Sequence, residues 1–584
     1  MLFAVSANDP VNAEIAAAFD ELGTLYELDG AISYRVLAYR QAAKAIRQSP
    51  VSIAELTRAG RVTELAGIGK TTEEKIRALL EEGSIPSADK LKRKFPPSLL
   101  EVTLIPGLGA KTVRRLYEEL GVASLDDLRE AIAGEKIRAL KGLGPKAEEN
   151  IAAQLEKLGA DGPAQRTLLS DALPVAMKLA ADLSEHPASS AVEIAGSARR
   201  RADTVKDIDL IAAAADPNAL AKALADHELT ASAGNPTANG VKVTTHNGIA
   251  IDLRIVAPEA YGNLLQHFTG SAAHNVALRE RAVGMGLSVS EHGITDTESG
   301  GVTVCATEAA VYERLGLRYI EPELREGRGE IKAAAADELP ELIELEDIRG
   351  DLHSHTTLSD GKNTLEEMVA AARAKGYGYF AVTDHSASHG FGDHVTAERL
   401  EERIDEIAAL NESLGTARFR VLAGSEVNIG SDGTLDYPDE LLERLDWVVA
   451  SVHTSFRMGR EKMTARFLEA MEHPSVNCIG HPSGRMLLRR EPYDFDIEAV
   501  VEAAARTKTM IEINGNPNRR DLNEQNARLA ADAGVKICLN TDAHRVRTLD
   551  FMVYALATAR RAGLTKAEVA NARPWGAFRK LMKR

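Results

Sequence analysis

The stretch "DLHSHTTLSDG" (351–361) decides the fold of the C-terminal part of this chain, because it begins a series of short segments rich in histidine and carboxylate. Most of these segments follow an apolar, strand-like run, and helical stretches separate them. The later segments are "VTDHS" (382–386), "GSEVN" (424–428), "SVHTS" (451–455), "GHPSGR" (480–485), "EINGNPNR" (512–519) and "NTDAHR" (540–545). Alternating strands and helices predict parallel strands wrapped by helices, with functional residues at the carboxyl ends of the strands.

The length and composition of the chain indicate a multidomain protein. Its 584 residues exceed the size at which one hydrophobic core keeps growing, so three or more domains are expected. With 44% hydrophobic and 27% charged residues, no bilayer-length apolar run and no secretory leader, the sequence predicts a cytoplasmic protein that does not bind membranes. Cys305, Cys478 and Cys538 lack close spacing, which argues against a disulfide framework or a cysteine zinc site.

One glycine pattern occurs three times near the N-terminus, in "LAGIGKTTEEKI" (65–76), "IPGLGAKTVRRL" (105–116) and "LKGLGPKAEENI" (140–151). Two glycines around one apolar residue permit a tight turn, and the free N–H groups of the following helix suit a phosphate of any DNA sequence. One copy could be a helix corner that merely needs glycine, but three copies favour helix-hairpin-helix DNA binding. The expected DNA-binding residues are Gly67, Gly69, Gly107, Gly109, Lys111, Gly142 and Gly144.

The charge of the chain is uneven. A net charge of -16 argues against a protein that coats nucleic acid through bulk positive potential. Yet the stretch from Lys90 to Arg115 holds seven basic residues and the single acid Glu101. A solvated helix face would explain this stripe, but its position between the glycine patterns favours contact with DNA. The third pattern carries Glu148 and Glu149, so it is the least DNA-like copy.

Three carboxylates on strand-like segments predict a second metal site. Asp207 and Asp209 lie two apart in "KDIDLIAAA" (206–214) and so share one strand face, and Asp252 lies in "IAIDLRIV" (249–256). Together they can hold two magnesium or manganese ions, which would clamp the attacking and leaving oxygens of an in-line phosphoryl transfer. A lone Asp-x-Asp is weak, but the glycine-serine turn of "AVEIAGSARR" (191–200) precedes this one.

With these residues the chain resembles family X DNA polymerases, whose nucleotidyltransferase motif is similar to "GSARRRADTVKDIDL" (196–210). The stretch "HFTGSAAHNVALR" (267–279) is similar to the family's junction of palm and thumb, with His267 where tyrosine is usual. The resemblance implies that Asp207, Asp209 and Asp252 are the catalytic metal ligands, that Gly196, Ser197, Arg200, Phe268, Gly270 and Asn275 bind the nucleotide, and that Arg279 lies along the DNA.

The N-terminal part also resembles the small lyase domain of that family. The stretch "AYRQAA" (38–43) and the first hairpin place Lys75 where repair members carry a Schiff-base lysine. An amine desolvated near other cations can attack an abasic aldehyde. Arg35 and Tyr39 match the family's phosphate pocket, whereas Thr71 stands in place of a lysine. A solvated helical lysine remains the alternative interpretation.

The C-terminal motifs resemble the polymerase and histidinol phosphatase (PHP) superfamily, a distorted barrel of seven strands and helices. The resemblance implies up to three divalent ions, for which imidazole and carboxylate favour manganese, zinc or iron, and phosphodiester cleavage by a metal-activated water. The implied ligands are His353, His355, Asp360, His385, Glu426, His453, His481, Asp542 and His544. Arg485 and Arg519 could bind phosphate or form ion pairs, and His389, His394 and His473 are expected to be surface residues.

The order of these parts resembles the bacterial PolX family. The expected fold is a helical lyase-like domain with the first hairpin (1–88), a helix-hairpin-helix fingers-like domain (89–160), an α+β nucleotidyltransferase palm (161–262), a thumb (263–325), an acidic linker (326–349) and an α/β PHP barrel (350–584). The resemblance implies a DNA polymerase that fills short gaps in base excision repair, and a monomer is expected because nothing in the sequence suggests an obligate dimer. Gapped or nicked duplex and deoxynucleoside triphosphates would be its partners, and the PHP domain would supply a 3′-5′ exonuclease, with abasic-site incision and 3′-end cleaning as associated activities.

Two alternatives stay open from the sequence. In one, the polymerase half only binds DNA ends, and the protein is a PHP-type nuclease or phosphatase. In the other, both sites are vestigial, and the hairpins hold DNA ends for other repair factors. The intact carboxylate triad argues against the first alternative, and the complete set of metal ligands argues against the second.

Overall fold

The structure, a computed structural model, describes residues 10–103, 105, 108–140, 142–158, 166–388, 395–415 and 419–583. The chain packs as two compact units. The first comprises residues through Thr167, Pro174–Val192 and Lys206–Val256, and the second comprises Leu168–Leu173, Glu193–Val205 and the chain from Ala257 onward. The predicted palm is thus divided between the units. None of the described helices is long and apolar enough to cross a membrane.

Short helices form the N-terminal part of the first unit. They are α1 (Asn12–Leu28), α2 (Ser33–Gln48), α3 (Ile53–Arg58), α4 (Lys70–Glu82), α5 (Pro86–Lys92), α6 (Pro97–Val102), α7 (Ala110–Leu120), α8 (Leu125–Ala133) and α9 (Pro145–Leu158). Apolar residues at helical spacing, such as Ile15, Phe19 and Leu22 of α1, are fully buried in one common core. The last glycine of each pattern, Gly69, Gly109 or Gly144, directly precedes α4, α7 or α9, so each pattern leads into a helix, as the sequence predicts.

A mixed sheet forms the palm. The elements in chain order are β1 (Thr167–Leu168), α10 (Leu169–Ser184), β2 (Ser189–Ile194), α11 (Gly196–Arg199), β3 (Thr204–Val205), β4 (Asp207–Ala214), α12 (Pro217–Ala225), β5 (Thr230–Ala233), β6 (Gly240–Thr245) and β7 (Ala250–Val256). The strand order is β2-β4-β7-β6-β5, with β4 and β7 parallel. Residues Ile208 and Leu210 of β4 are buried, which leaves Asp207 and Asp209 on the opposite, half-buried face.

The thumb opens the main part of the second unit. It contains α13 (Tyr261–Thr269), α14 (Ala272–Gly284), β8 (Leu287–Ser290), β9 (Gly293–Asp296), β10 (Val302–Thr303), α15 (Glu308–Arg314) and α16 (Glu330–Ala336). Helix α16 lies in the segment that the sequence presents as an acidic linker (326–349). Its Ile331 packs into the thumb core, and Ile343 is fully buried in the core of the following domain. The acidic segment is therefore folded into this unit, because Ile331 and Ile343 are buried in the cores on its two sides.

The C-terminal domain is a barrel of parallel strands, in the order β11-β12-β13-β14-β15-β16-β17. The elements are β11 (Gly350–Asp351), α17 (Leu365–Ala374), β12 (Tyr379–Val382), α18 (Ala397–Leu414), β13 (Arg420–Asn428), α19 (Asp439–Leu442), β14 (Trp447–Ser451), α20 (Arg460–Glu472), β15 (Cys478–Ile479), α21 (Ile497–Thr507), β16 (Met510–Asn514), α22 (Glu524–Asp532), β17 (Ile537–Asn540), α23 (Met552–Arg561) and α24 (Trp575–Phe578). This confirms the predicted distorted barrel of seven strands.

The barrel closes by one bridge and is filled at one end by apolar side chains. A parallel bridge between Ser354 and Ala543 joins the chain after β11 to the chain after β17, in place of a full ladder. Inside, Tyr379 stacks on Phe578 with ring centroids 4.8 Å apart, and Trp447 lies beside them. This apolar layer fills one end of the barrel, and polar residues lie at the carboxyl ends of the strands.

Candidate active sites

The predicted PHP ligands meet at the carboxyl ends of the barrel strands. His353 and His355 follow β11, His385 follows β12, Glu426 lies in β13, His453 follows β14, His481 follows β15, and Asp542 and His544 follow β17. Asp360 belongs to the loop before α17. Because parallel strands end at the same rim, residues almost two hundred positions apart come into contact there: His355 Nε2 lies 3.1 Å from Asp542 Oδ1.

Glu426 is the carboxylate around which the histidines gather. Its Oε2 lies 2.8 Å from His385 Nδ1 and 3.4 Å from His353 Nε2. Its Oε1 lies 2.9 Å from His481 Nε2 and 3.1 Å from His453 Nε2. A buried carboxylate whose two oxygens face different histidines has the arrangement of a ligand shared between metal ions.

The ligand atoms form one continuous cluster. Groups with all ligand atoms within 4.8 Å of one another are His355, Asp360, His385 and His544; His353, His355 and Asp542; and His385, Glu426 and His453. The groups share His355 and His385, and His481 joins through its contact with Glu426. Mixed imidazole and carboxylate ligands in overlapping groups suit several divalent transition-metal ions.

Burial and mutual charge set the protonation of this cluster. Burial raises the pKa of Glu426, but His453 and other surrounding histidines lower it well below its ordinary value. Burial lowers the pKa of His353, yet Glu512 and Glu426 raise it well above its ordinary value. Burial and two neighbouring histidines lower the pKa of His355 to about 4. Glu426 is therefore anionic and His355 neutral, which are the forms that bind metal ions, whereas the neighbouring carboxylates favour the protonated form of His353.

The hydrogen bonding of the cluster fits resident metal ions. Buried atoms without a hydrogen-bond partner among the described residues include His353 Nε2, His355 Nδ1 and His481 Nδ1. Polar atoms buried in this way cost free energy unless something else satisfies them. The opposite ring nitrogen of His353, Nδ1, lies 2.8 Å from Glu512 Oε1, which fixes the tautomer that directs Nε2 into the cluster.

Glu512 lies in the segment "EINGNPNR" (512–519) and is a site residue that was not among the predicted metal ligands. It is fully buried, and its second carboxylate oxygen accepts the backbone N–H of His481 at 2.7 Å. Asn540 also donates to Glu512. Its position in the sequence could have indicated a role, because a charged residue within the apolar strand β16 needs a partner to offset the cost of burying its carboxylate.

The cluster opens to solvent on one side. Most of its ligands are buried, whereas the side chains of Asp360 and His544 are 28% and 31% exposed. These two lie 3.1 Å apart at the rim. A phosphoryl group from solvent can therefore reach the cluster past Asp360 and His544.

The palm carboxylates share one face of the sheet but form no comparable cluster. Asp209 and Asp252 are register partners on the parallel strands β4 and β7. Asp252 pairs with Arg254 at 3.1 Å and with Lys242 at 3.2 Å. Among the described residues, the three palm carboxylates are not in any group whose ligand atoms lie within 4.8 Å of one another. Both cations contact the same carboxylate oxygen of Asp252, Oδ2.

The predicted nucleotide-binding loop belongs to the second unit. Gly196, which begins the short helix α11, has φ +61, a conformation that favours glycine, and Ser197 follows it in the helix. The guanidinium of Arg200 bonds Glu326 and the backbone oxygen of Thr269, each at 3.0 Å. Arg200 would have to exchange these partners to hold a triphosphate.

The predicted sugar pocket is closely packed around Gly270. A Cβ on Gly270 would lie 2.5 Å from Asn275 Oδ1, so no other residue fits there without movement. Asn275 donates to the backbone oxygen of His267 at 2.8 Å and accepts from Gln266 at 3.0 Å. The rings of His267 and Phe268 lie 5.4 Å apart, and Arg279 is exposed on α14.

The hairpin glycines leave open space at the helix starts. A Cβ on Gly69, Gly109, Gly142 or Gly144 would meet nothing within 4 Å, so internal packing does not demand these glycines. Gly67 and Gly142 have φ values of +96 and +87, which do favour glycine. Bare backbone at a helix start is suited to close approach by a phosphate. Gly107 lies outside the described residues.

Some basic residues near the hairpins form ion pairs within the protein, which reduces the positive charge that they offer to DNA. In the basic stripe, Lys92 pairs with Glu21 and Lys94 with Asp29, each at 2.8 Å, whereas Lys111 is exposed. In the third hairpin, Glu148 is buried and accepts Arg138 Nε at 2.7 Å. The ion pair between Glu148 and Arg138 therefore stabilises the third hairpin.

Lys75 lies beside aromatic rings. Its Nζ is 5.9 Å from the ring centroid of Tyr39, which stacks on Tyr26 at 5.4 Å. Burial and Tyr26 raise the pKa of Tyr39. A cation over an aromatic face is a stable arrangement in itself, so this geometry supports a structural role as well as an amine near an abasic site.

The additional residues of the C-terminal motifs have defined partners. Arg485 Nη2 pairs with Asp203 at 2.8 Å, and Arg519 Nε lies 3.8 Å from Asp542 Oδ2. His473 is paired with Asp439 at 3.3 Å. His389 and His394 lie outside the described residues.

Comparisons with known proteins agree with this order of parts. The chain matches a helix-hairpin-helix domain over 10–85, a tandem of such hairpins over 99–157, the DNA polymerase beta thumb over 264–326 and the PHP domain over 351–516. It is 36% identical over 563 residues to "DNA polymerase/3'-5' exonuclease PolX" of Bacillus subtilis (strain 168), with 96% of this chain and 97% of that protein covered. The chain belongs to the PolX family.

Other relatives match only part of the PolX chain. A protein named "Probable phosphatase" from Syntrophotalea carbinolica is 29% identical over 231 residues, which cover 38% of this chain and 90% of that protein. A similarly named protein of Thermoanaerobacter sp. (strain X514) is 32% identical over 237 residues, or 38% of this chain and 89% of that protein. Each of these relatives is thus covered almost wholly by 38% of this chain.

Proposed function

We propose that this chain is a DNA polymerase with a metal-dependent 3′-5′ exonuclease in its PHP domain, and that it fills short gaps in base excision repair. The observation that carries the proposal is the continuous cluster of metal ligands in a chain similar to a named polymerase and exonuclease along almost its whole length. The hairpins and thumb supply binding to gapped or nicked DNA.

In the exonuclease, divalent ions would lower the pKa of a water to make it the nucleophile and would neutralise the phosphate. The buried histidines and Glu426 would hold them, with Mn²⁺, Zn²⁺ or Fe²⁺ as the fitting ions, up to three in number. Glu512 orients His353, and Asn514 donates to Asp542 at 3.1 Å, so these two residues fix the ligand geometry. The exposed rim at Asp360 and His544 would admit the 3′ end.

In the polymerase, Asp207, Asp209 and Asp252 would hold two Mg²⁺ or Mn²⁺ ions. Gly196, Ser197 and Arg200 would bind the triphosphate of a deoxynucleotide, and Phe268, Gly270 and Asn275 would line its sugar pocket. Lys242 and Arg254 would have to release Asp252 when the ions bind. Arg279 and the hairpin residues around Lys111 would follow the DNA backbone. Monomeric state and cytoplasmic location remain predictions.

A labelled primer on a short-gapped duplex with Mn²⁺ tests the whole proposal. Extension is expected when deoxynucleotides are present, and shortening when they are omitted. A chelator added in excess should stop both reactions. Full-length primer under every condition would contradict the proposal.

One observation favours a second function, in which the protein is a PHP-type nuclease or phosphatase and its polymerase half only binds DNA ends. Asp252 is paired with two cations, and the palm carboxylates are not clustered. Shortening without any extension over a range of Mg²⁺ and Mn²⁺ concentrations would establish this function instead.

Two finer activities belong to the same proposal. Lys75 would act as a Schiff-base lysine on abasic ends, and the PHP domain would incise abasic sites and clean blocked 3′ ends. Borohydride trapping on an incised abasic duplex tests the first activity. An adduct of undiminished yield in Lys75→Ala would refute the role of Lys75.

A further inference from the structure

Arginines of the PHP barrel hold the nucleotide-binding loop of the palm, and both belong to the second unit. Arg561 donates to the backbone oxygen of Arg200 at 2.8 Å, and Arg520 donates to the backbone oxygen of Arg201 at 3.0 Å. Arg201 has φ +58, a conformation that costs a non-glycine residue free energy. The loop is therefore kept in a specific shape by residues far along the chain.

Asp203, in the same loop of the palm, forms ion pairs with two arginines of the PHP barrel. Its Oδ2 lies 2.8 Å from Arg485 Nη2, and its Oδ1 lies 3.2 Å from Arg520 Nε. The side chain of Arg520 is 1% exposed, and burial lowers its pKa while Asp203 raises it. A buried arginine needs a counter-charge, and removal of that charge leaves it uncompensated. Asp203 is thus required for the present positions of Arg485 and Arg520.

Arg485 connects this anion to the metal cluster. It lies in the loop that carries the ligand His481, and its guanidinium donates to the backbone oxygens of Arg519, at 2.9 Å, and of Arg520. The side chain of Arg519 in turn has its Nε 3.8 Å from Oδ2 of Asp542. A series of charged contacts therefore leads from Asp203 to a predicted metal ligand.

We propose that Asp203, although it lies in the polymerase motif, is a positioning residue of the PHP metal site. By holding Arg485 and Arg520, it fixes the two loops that carry His481 and Arg519, and so the surroundings of Asp542. The proposal rests on the proposed metal-dependent hydrolysis in the PHP domain. It also means that the nucleotide-binding loop and the metal site share one structural support.

The consequence is a specific effect on metal binding. Residues that orient metal ligands typically change metal affinity or activity by about 10–100-fold when they are altered. Asp203 acts through two arginines, so we expect a change at the lower end, roughly 10-fold. Excess metal should compensate for weaker binding, whereas it would not repair a misfolded domain.

The test measures Mn²⁺ binding to the full-length protein by isothermal titration calorimetry, where Asp203→Asn should raise the Kd about 10-fold. It also measures hydrolysis of bis(p-nitrophenyl) phosphate as Mn²⁺ is titrated. This small diester needs neither the palm nor the hairpins. We expect Asp203→Asn to raise the Mn²⁺ concentration for half-maximal rate about 10-fold, with the rate at saturating Mn²⁺ close to wild type. Asp203→Glu should recover part of the affinity. Asp182→Asn, a matched change at a palm aspartate paired with Lys178, should leave the titration unchanged.

A double variant decides whether the effect passes through Arg485. Asp203→Asn with Arg485→Gln should be no worse than the worse single variant, because both changes break the same contact. An unchanged titration in Asp203→Asn, or a loss of rate that saturating Mn²⁺ does not restore, would overturn the proposal. No hydrolysis by the wild-type protein would instead refute the proposed PHP activity, so the two failures are distinguishable.

Discussion

At the residue scale, the metal cluster depends on Glu426, whose two oxygens face histidines from four different strand ends. Glu426→Gln removes the charge at constant size. We expect the bound transition metal measured by elemental analysis to fall by at least one ion per chain, and primer shortening to fall about 100-fold or more. Glu472→Gln, at an exposed glutamate paired with Arg506, is the matched control and should change neither quantity. Full metal content in Glu426→Gln would contradict this account.

Glu512 gives a second prediction at this scale. Glu512→Gln weakens the acceptor that holds His353 Nδ1 and the backbone of His481. The variant should bind Mn²⁺ about 10–100-fold more weakly, as measured by the Mn²⁺ dependence of primer shortening. A titration identical to that of the wild type would show that this buried carboxylate does not support the cluster.

The same residues show how far sequence reasoning reaches. All nine predicted ligands lie in or beside one cluster, because most of them sit in motifs at the ends of apolar, strand-like runs. Glu512 and Asp203 were not selected, because their roles depend on partners far away in the sequence. Asp203 lies next to the palm motif, and only the fold brings it to Arg485.

At the element scale, the helix starts of the hairpins are the expected contacts with the DNA backbone. Gly67→Val places a branched residue at φ +96 in the first hairpin, where it should cost about 1–2 kcal/mol or shift the backbone. We expect several-fold weaker binding of a labelled gapped duplex, measured by fluorescence anisotropy.

Gly83→Val is the control for that change. Gly83 lies at the other end of α4 with φ +74, and a Cβ there would meet nothing within 4 Å. It should destabilise the protein to a similar extent without weakening the DNA complex. Equal loss of DNA binding in the two variants would show that the hairpin acts only through stability.

Local patterns predicted these elements better than their connections. The glycine patterns and the strand-helix alternation specify hairpins and a barrel, because each depends on nearby residues. The acidic segment 326–349 appeared to be a linker because charge dominates its composition. Its Ile331 and Ile343 are nevertheless buried in two cores. The composition of the segment alone cannot predict that burial.

At the scale of the whole molecule, the barrel is expected to depend on its metal ions for stability. The cluster buries carboxylates and imidazoles, several of whose atoms lack hydrogen-bond partners among the described residues. Ligands that bind only the folded state stabilise it, by about 2.7 kcal/mol at a concentration of 100 Kd. Chelation should therefore lower the thermal midpoint, and Mn²⁺ should restore it. A midpoint insensitive to both would contradict metal binding by the barrel.

The central claim is that one chain carries two separate active sites. The most direct measurement follows a labelled primer on a gapped duplex with Mn²⁺, with and without deoxynucleotides, for the wild type, Asp209→Asn and Glu426→Gln. The account predicts that Asp209→Asn shortens the primer but cannot extend it, and that Glu426→Gln extends it but cannot shorten it. Loss of both reactions in either variant would contradict the claim.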